Sequence, residues 1–190
     1  MADPADTKGQ APGRRPVVAT ASFAGCFGCH MSFLDIDERF VELVDKIDFG
    51  FSPLVDTKTV GPCDLALIEG GVANEDNVRV LRALRANATV LIAVGACAIN
   101  GGIPAMRNGH SLTACLEESY RDGLGLARGG IPDDAELPML LGRVHPIHEV
   151  VAVDASLPGC PPSADVIWQA LSEILAGRAP RLAPDQIHYD

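Results

Sequence analysis

Short apolar runs alternate with longer segments of helical periodicity along most of the chain. The runs are apolar at consecutive positions rather than at every second one, and this pattern is typical of strands buried on both faces of a sheet. Strands are predicted at 17–22, 49–55, 65–68, 89–94 and 150–153. Helices are predicted at 34–47, 75–86, 111–120 and 164–176, with N-caps at Asn74, Ser111 and Ser163 and a stop at Gly177.

The alternation of such strands with helices predicts an α/β fold in which helices cover both faces of a parallel sheet. The expected fold is a doubly wound parallel sheet, flavodoxin-like in strand order, extending over 16–178. Residues 1–15 and 179–190 show no periodicity and are predicted to form a flexible N-terminal tail and a C-terminal tail. Residues 123–148 contain many Gly and Pro residues and are expected to leave the sheet.

Composition excludes several classes of function. The 190 residues are 47% hydrophobic and carry a formal charge of −10, which suits one domain with its own core. Such acidity argues against binding to nucleic acid or to anionic membranes. The longest apolar run, 88–98, is too short to span a bilayer. The pair Arg14-Arg15 lacks the apolar region and cleavage site of an export signal. We therefore expect a cytoplasmic protein whose cysteines bind metal rather than form disulfides.

Four of the six cysteines follow predicted strands. Cys26 and Cys29 form a CxxC motif after the first strand, while Cys97 follows 89–94 and Cys160 follows 150–153. In parallel sheets, ligands bind beyond the carboxyl ends of the strands, so these four thiols are expected at one edge.

Four thiolates at one edge suit either zinc or an iron–sulfur cluster. A structural zinc ribbon usually uses two close pairs, whereas one CxxC pair with two distant single cysteines favours a cubane cluster. A thioredoxin-like redox pair would leave Cys97 and Cys160 unexplained. Glycines flank the candidate ligands, so backbone N–H groups could approach the sulfur atoms.

The remaining polar candidates are weaker. Cys63 precedes a strand and Cys115 lies in a predicted helix, so both are expected to be buried as small hydrophobic residues. Glu69 ends the 65–68 strand on the cysteine edge, where it is either a group beside the metal, a proton relay or a solvated loop acid. Three histidines without ligand spacing are expected to bind no metal: His110, His145 and His148.

Three motifs together resemble the small subunit of [NiFe] hydrogenases. They are the CxxC after the first strand, GACAINGGI at 95–103 and PGCPP at 158–162, and the resemblance covers about 17–176. It implies that the four cysteines at the sheet edge bind one [4Fe-4S] cluster, in agreement with the sorting by strand ends.

Two further features indicate which branch of that family the chain resembles. The long leader and the cluster-rich C-terminal domain of exported members are not expected here, and six cysteines suffice for one cluster only. The run CFGCHMSFLDIDERF at 26–40 resembles the cytoplasmic NAD-reducing, bidirectional hydrogenases. The resemblance implies an enzyme subunit without catalytic residues of its own. It would relay electrons between the Ni–Fe site of a large subunit and the iron–sulfur and flavin subunits of an NAD-reducing diaphorase.

Other functions stay open at this point. The chain could serve another cytoplasmic [NiFe] hydrogenase with a different electron acceptor, or be a structural four-cysteine zinc module. A cluster subunit like that of complex I is less well matched, because its first motif has two adjacent cysteines where this chain has Gly25-Cys26. The sheet also offers a crevice for FMN, although the Cys26–Cys29 loop occupies the place of a phosphate-binding loop.

Overall fold

The computed structural model describes residues 14–126, 129–178 and 180–187. Within these ranges the strands are β1 (Val17–Ser22), β2 (Asp48–Phe49), β3 (Cys63–Glu69), β4 (Val72–Asn74), β5 (Ala88–Val94), β6 (Leu140–His145) and β7 (Ala155–Leu157). The α-helices are α1 (Gly28–Leu34), α2 (Glu38–Val44), α3 (Glu75–Asn87), α4 (Gly95–Asn100), α5 (Leu112–Leu116) and α6 (Ala164–Leu175). Short 3-10 helices lie at Ile103–Gly109, Ile147–Glu149 and Pro184–Gln186, and a π turn lies at Glu117–Arg121.

Five strands form one parallel sheet in the order β2-β1-β3-β5-β7. Along the chain this is the 2-1-3-4-5 order of flavodoxin-like folds, so the predicted fold class is confirmed. The strands β4 and β6 pair antiparallel in a separate two-stranded sheet, which places part of the 123–148 segment outside the main sheet as predicted.

The register aligns the carboxyl ends of the central strands. Ser22 pairs with Glu69, and Glu69 pairs with Val94, so β1, β3 and β5 end at the same level. Val94 in turn pairs with Leu157 of β7. The segments that follow these strands therefore meet at one edge of the sheet.

Helices pack on both faces, as the consecutive apolar positions predict. Neighbouring strand residues point to opposite sides, and Val18 and Ala19 of β1 belong to different core clusters. Residues of one cluster include Phe33 of α1 and Leu171 of α6, whereas the other contains Leu81 and Leu84 of α3. Helix α3 begins at Glu75 as predicted, and its N-cap is Asn74, whose side-chain oxygen accepts the Asn77 N–H at 2.8 Å.

The predicted strand at 150–153 is wrong. These residues form a turn, and β7 starts later, at Ala155. The Asp154 N–H donates to the Leu91 carbonyl, while its carboxylate accepts the Leu91 N–H at 2.7 Å. Asp154 thereby delays regular pairing until Ala155. The valines of 150–153 look like a strand because they pack against the core on the α3 side.

Three further boundaries differ from prediction. The helix expected at 34–47 is only α2, Glu38–Val44, because Asp37 has a positive φ of 57° that interrupts α-helical geometry. Leu34 is instead the last residue of α1, a helix over Gly28–Leu34 that was not predicted. The strand expected at 49–55 is only Asp48–Phe49, since Gly50 follows directly and Pro53 lies three residues further on. The helix expected at 111–120 is α-helical only to Leu116 and continues as the π turn.

The described part of the C-terminal tail lies against α6. The Arg181 N–H donates to Glu173 at 2.6 Å, and Gln186 donates to Gln169 at 2.8 Å. Residues 1–13 of the N-terminal tail lie outside the described residues, so the domain limits 16–178 stay a prediction. Among the described residues, no helix is both long and apolar enough to cross a membrane.

Candidate functional site

The four cysteines predicted as ligands all lie at the carboxyl edge of the sheet. Cys26 and Cys29 stand where the β1 loop enters α1, and Cys97 lies in α4 directly after β5. Cys160 lies in the loop between β7 and α6. Cys26 and Cys160 are exposed, whereas Cys29 and Cys97 are partly buried. Two thiols therefore face the surface and two face the protein.

Hydrogen bonds join the three segments that carry these cysteines. The Ala96 N–H donates to the Gly159 carbonyl at 2.9 Å, which ties the Cys97 loop to the Cys160 loop. The Ser32 hydroxyl donates to the Pro162 carbonyl at 2.6 Å, which ties α1 to that same loop. The three loops thus form one connected surface although they are far apart in sequence.

Two glycines leave room for the sulfur atoms. A Cβ on Gly95 would overlap Cys29 Sγ, and a Cβ on Gly102 would lie 2.8 Å from Cys97 Sγ. Both glycines have positive φ, 80° and 50°, which other residues adopt only with strain. The backbone therefore forms a cradle around the sulfurs that a side chain would fill, as a bulky sulfur-ligated group requires.

The pKa values of the two inner thiols lie above the ordinary value. Burial is the main cause for both Cys29 and Cys97. The negative charges of Glu69 and of neighbouring cysteines raise these pKa values further. A bare thiolate is disfavoured here, so a stable one needs the positive charge of a metal.

Glu69 is a buried carboxylate, so the alternative of a solvated loop acid is wrong. It is 4% exposed, and its Oε2 accepts the Cys29 N–H at 2.9 Å. Its Oε1 accepts from Nδ1 of His30 at 2.8 Å. Burial raises the pKa of Glu69, but hydrogen bonds from His30, Ser22 and Cys29 outweigh this and lower the pKa below its usual value.

His30 is the residue that sequence reasoning missed. It follows the CxxC motif directly and is 5% exposed, with Nε2 bonded to Thr20 Oγ1 at 2.9 Å. The signal available in the sequence was a lone histidine in an otherwise apolar helix turn beside two candidate ligands. Its partner Glu69 is 39 residues away and becomes visible only once β1 and β3 are paired.

The other candidates stand apart from the site. Cys63 begins β3 at the opposite edge and is buried as predicted, whereas Cys115 in α5 is only partly buried. Burial, reinforced by the charge of Asp64, raises the pKa of Cys63 to about 11. His145 pairs with Glu149 at 2.5 Å, one helical turn further along the chain.

The ligand placement bears on the zinc alternative. Zinc binds thiolates at about 2.3 Å in a tetrahedron, which draws them close together. In the described part of the chain, no three His, Cys, Asp or Glu side chains are grouped to hold a single metal ion. The four thiols are likewise not grouped in this way, so their placement favours neither zinc nor an iron–sulfur cluster. The β1 loop, 23–29, contains no Ser or Thr, so it gives FMN no phosphate-binding loop.

The sequence is similar to those of hydrogenase subunits and of a respiratory-enzyme subunit family. A sequence profile of the family NADH ubiquinone oxidoreductase, 20 Kd subunit, matches residues 26–174. The NAD-reducing hydrogenase HoxS subunit delta of Cupriavidus necator is 41% identical over 177 residues, covering 91% of this chain and 85% of that protein. The iron-sulfur subunit of the F420-non-reducing hydrogenase of Archaeoglobus profundus is 31% identical over 175 residues, and the alignment spans 82% of this chain and 54% of that protein.

A solved structure extends the similarity to three dimensions. One chain of the NAD+-reducing [NiFe]-hydrogenase in the H2-reduced state superposes with a TM-score of 0.91 at 56% sequence identity. The match covers 93% of this chain and 100% of that one. Neither these relatives nor the geometry supports FMN.

Proposed function

The chain belongs to the family of the NADH ubiquinone oxidoreductase 20 Kd subunit, and from this premise we propose that it is the electron-transferring small subunit of an NAD-reducing [NiFe] hydrogenase. One observation carries the assignment within that family. The NAD+-reducing [NiFe]-hydrogenase chain is matched over its whole length at 56% identity and a TM-score of 0.91. A match of this extent leaves no domain of that chain without a counterpart here.

The proposed cofactor is one [4Fe-4S] cluster held by the four thiolates of Cys26, Cys29, Cys97 and Cys160. Such a cluster supplies a centre that takes up and releases single electrons. The donor set supports this, as do the glycine cradles at Gly95 and Gly102, where a side chain would meet sulfur. The name of the Archaeoglobus profundus relative, an iron-sulfur subunit, supports the class of cofactor.

The placement of the thiols supports a relay function. Cys26 and Cys160 are exposed, so the site reaches the protein surface and a redox partner can approach it closely. Cys29 and Cys97 are partly buried, which shields the inner side of the site from water. In the proposed cytoplasmic complex, the large subunit holds the Ni–Fe site and diaphorase subunits carry electrons to NAD+.

A different electron acceptor is the second candidate. The Archaeoglobus profundus relative belongs to an F420-non-reducing hydrogenase, but the chain spans only 54% of that protein against 85% of the HoxS subunit delta. We therefore propose NAD+ rather than another compound as the electron acceptor. The partner subunits and acceptor specificity can be read directly from the complex that co-purifies with this chain.

The cofactor proposal is tested by metal analysis of the anaerobically purified complex. Iron and sulfide are measured in the wild-type complex and in the variants Cys97→Ala and Cys115→Ala. We expect Cys97→Ala to lose about four iron and four sulfide per chain, because one corner ligand is missing. Cys115→Ala is the matched control and is expected to lose none, since Cys115 lies in α5 away from the site. Zinc in place of iron, or an unchanged iron content in Cys97→Ala, would contradict the proposal.

The functional assignment is tested by activity of the same complexes. We expect H2-dependent reduction of NAD+ in the wild type and in Cys115→Ala, and its loss in Cys97→Ala. Reduction of another acceptor without NAD+ reduction would favour the second candidate. A cluster without any hydrogenase activity in the assembled complex would refute the hydrogenase assignment while leaving the cofactor assignment intact.

A further inference from the structure

A continuous hydrogen-bonded chain crosses the buried interior behind the cysteine loop. It runs from Ser52 to Thr20 at 2.7 Å, from Thr20 to His30 at 2.9 Å and from His30 to Glu69 at 2.8 Å. Glu69 then accepts the backbone N–H of Cys29 at 2.9 Å. All four side chains are at most 5% exposed, so water does not compete for these bonds.

The donors and acceptors of this chain fit one direction. The Glu69 carboxylate can only accept, so Nδ1 of His30 donates to it. In a neutral imidazole, Nε2 of His30 then accepts from the Thr20 hydroxyl, which in turn accepts from Ser52. Ser52 Oγ is itself fixed by the Leu54 N–H at 3.1 Å. Every member is satisfied, and the imidazole is therefore held in one orientation.

The face of the same imidazole contacts the CxxC loop. The Phe27 ring stacks on His30 with centroids 4.6 Å apart and planes 10° apart. Phe27 lies between the two cysteines and has a φ of 65°, a left-handed conformation that is rare for a bulky residue. Such a conformation persists only where the surroundings impose it, and the stacked imidazole is a direct side-chain contact that does so.

We propose that His30 is a positioning residue that fixes both cysteines of the CxxC motif, Cys29 through Glu69 and Cys26 through Phe27, and thereby sets the reduction potential and retention of the bound cluster. The inference rests on the proposed function. Groups that orient metal ligands in this way change metal affinity by about 10- to 100-fold when they are replaced.

The physical consequence of losing His30 follows from Glu69. The imidazole keeps the carboxylate on the Cys29 N–H, so that N–H is unavailable to the sulfur ligands. Without the imidazole, the carboxylate keeps only the hydrogen bonds from Ser22 and Cys29, so its hold on the Cys29 N–H weakens and that N–H can turn to a sulfur atom. A hydrogen bond to sulfur and a more distant negative charge both favour the reduced cluster, so the midpoint potential rises.

Two substitutions of His30 separate the effects of its two hydrogen bonds, one to Glu69 and one to Thr20. In His30→Asn the side-chain amide nitrogen lies near the Nδ1 position and still donates to Glu69. In His30→Gln the amide reaches the Nε2 position and Thr20, and Glu69 loses its donor at the Nδ1 position. Both variants remove the ring that stacks on Phe27, so they differ only in which bond is kept, the one to Glu69 in His30→Asn or the one to Thr20 in His30→Gln. His110→Gln serves as the control, because His110 is exposed.

The complexes are compared by three readouts besides activity. We expect His30→Gln to release iron to a chelator at least about tenfold faster than His30→Asn. We also expect a higher midpoint potential and an altered EPR spectrum in His30→Gln, and wild-type values in His110→Gln. Equal potentials, spectra and iron release in wild type and His30→Gln would overturn the inference, even if the stability of the variant fell.

Hydrogen exchange of the wild-type complex supplies a test that needs no variant. The Cys29 amide is expected to exchange slowly, because Glu69 accepts its hydrogen in a buried site. Exchange as fast as in an exposed loop would overturn the inference. If the wild-type complex holds no iron at all, the proposed function fails instead, so the two failures are distinguishable.

Discussion

Gly95 lies so close to Cys29 that a Cβ on the glycine would overlap the cysteine Sγ. The first residue of α4 thus packs directly on the Cys29 sulfur, the second sulfur of the CxxC motif. The same Cβ position is 3.5 Å from the Gly159 carbonyl oxygen, so the Cys160 loop closes the contact from the other side. Gly95 is therefore the point at which all three cysteine loops meet.

Gly95→Ala is expected to abolish stable cluster binding. The methyl group would overlap the Cys29 sulfur, and the φ of 80° adds strain for any residue with a Cβ. We expect the iron content of the purified complex to fall by about four iron per chain, as in Cys97→Ala. Gly61→Ala is the matched control, because no atom lies within 4 Å of a Cβ at Gly61 and its φ is not positive. Full iron content in Gly95→Ala would show that the cradle tolerates a side chain.

The sheet edge at which the four candidate cysteines lie could be predicted from the sequence, because consecutive apolar runs that alternate with helices indicate parallel strands. In a parallel sheet the segments that follow the strands all lie at one edge. The His30–Glu69 pair could not be predicted, because it depends on the register that sets Ser22 opposite Glu69. The start of β7 was missed for a similar reason. Asp154 binds the backbone of Leu91, a partner that periodicity within one segment cannot reveal.

Cys63 is expected to resist alkylation at pH 8 in the native chain. Its pKa is raised to about 11 by burial and by the charge of Asp64, so pH 8 lies below the pKa and about one thiol in a thousand is ionised. Raising the pH to 10 increases the thiolate fraction about 100-fold. Labelling by iodoacetamide, located by peptide mass spectrometry, is expected to follow this rise. Labelling at pH 8 within about tenfold of the urea-unfolded rate would contradict the prediction.

Asp154→Ala is expected to destabilise the chain by about 1–2 kcal/mol. The carboxylate accepts the Leu91 N–H at 2.7 Å and pairs with Arg85 at 2.6 Å, so its loss loosens β7 from β5 and α3. The pair is partly exposed, which keeps the cost below that of a buried ion pair. Glu42→Ala is the control, because its pair with Lys46 is exposed and 3.7 Å long, and about 0.5 kcal/mol or less is expected. Urea unfolding followed by circular dichroism measures both, and equal losses would refute the structural role of Asp154.

Leu171→Ala is expected to cost about 3–5 kcal/mol, at the upper end for such a truncation. Leu171 is 3% exposed on α6 and lines an apolar cavity of about 40 Å³ between that helix and the sheet. Removing the Leu171 side chain enlarges this existing cavity. Because the surrounding side chains leave the cavity open already, we expect them to move little to fill the added space. Leu124→Ala is the matched control, since Leu124 is fully exposed and a change within about 0.5 kcal/mol is expected. A cost below about 1 kcal/mol for Leu171→Ala, from the same urea measurement, would mean that α6 closes onto the sheet when the cavity is enlarged.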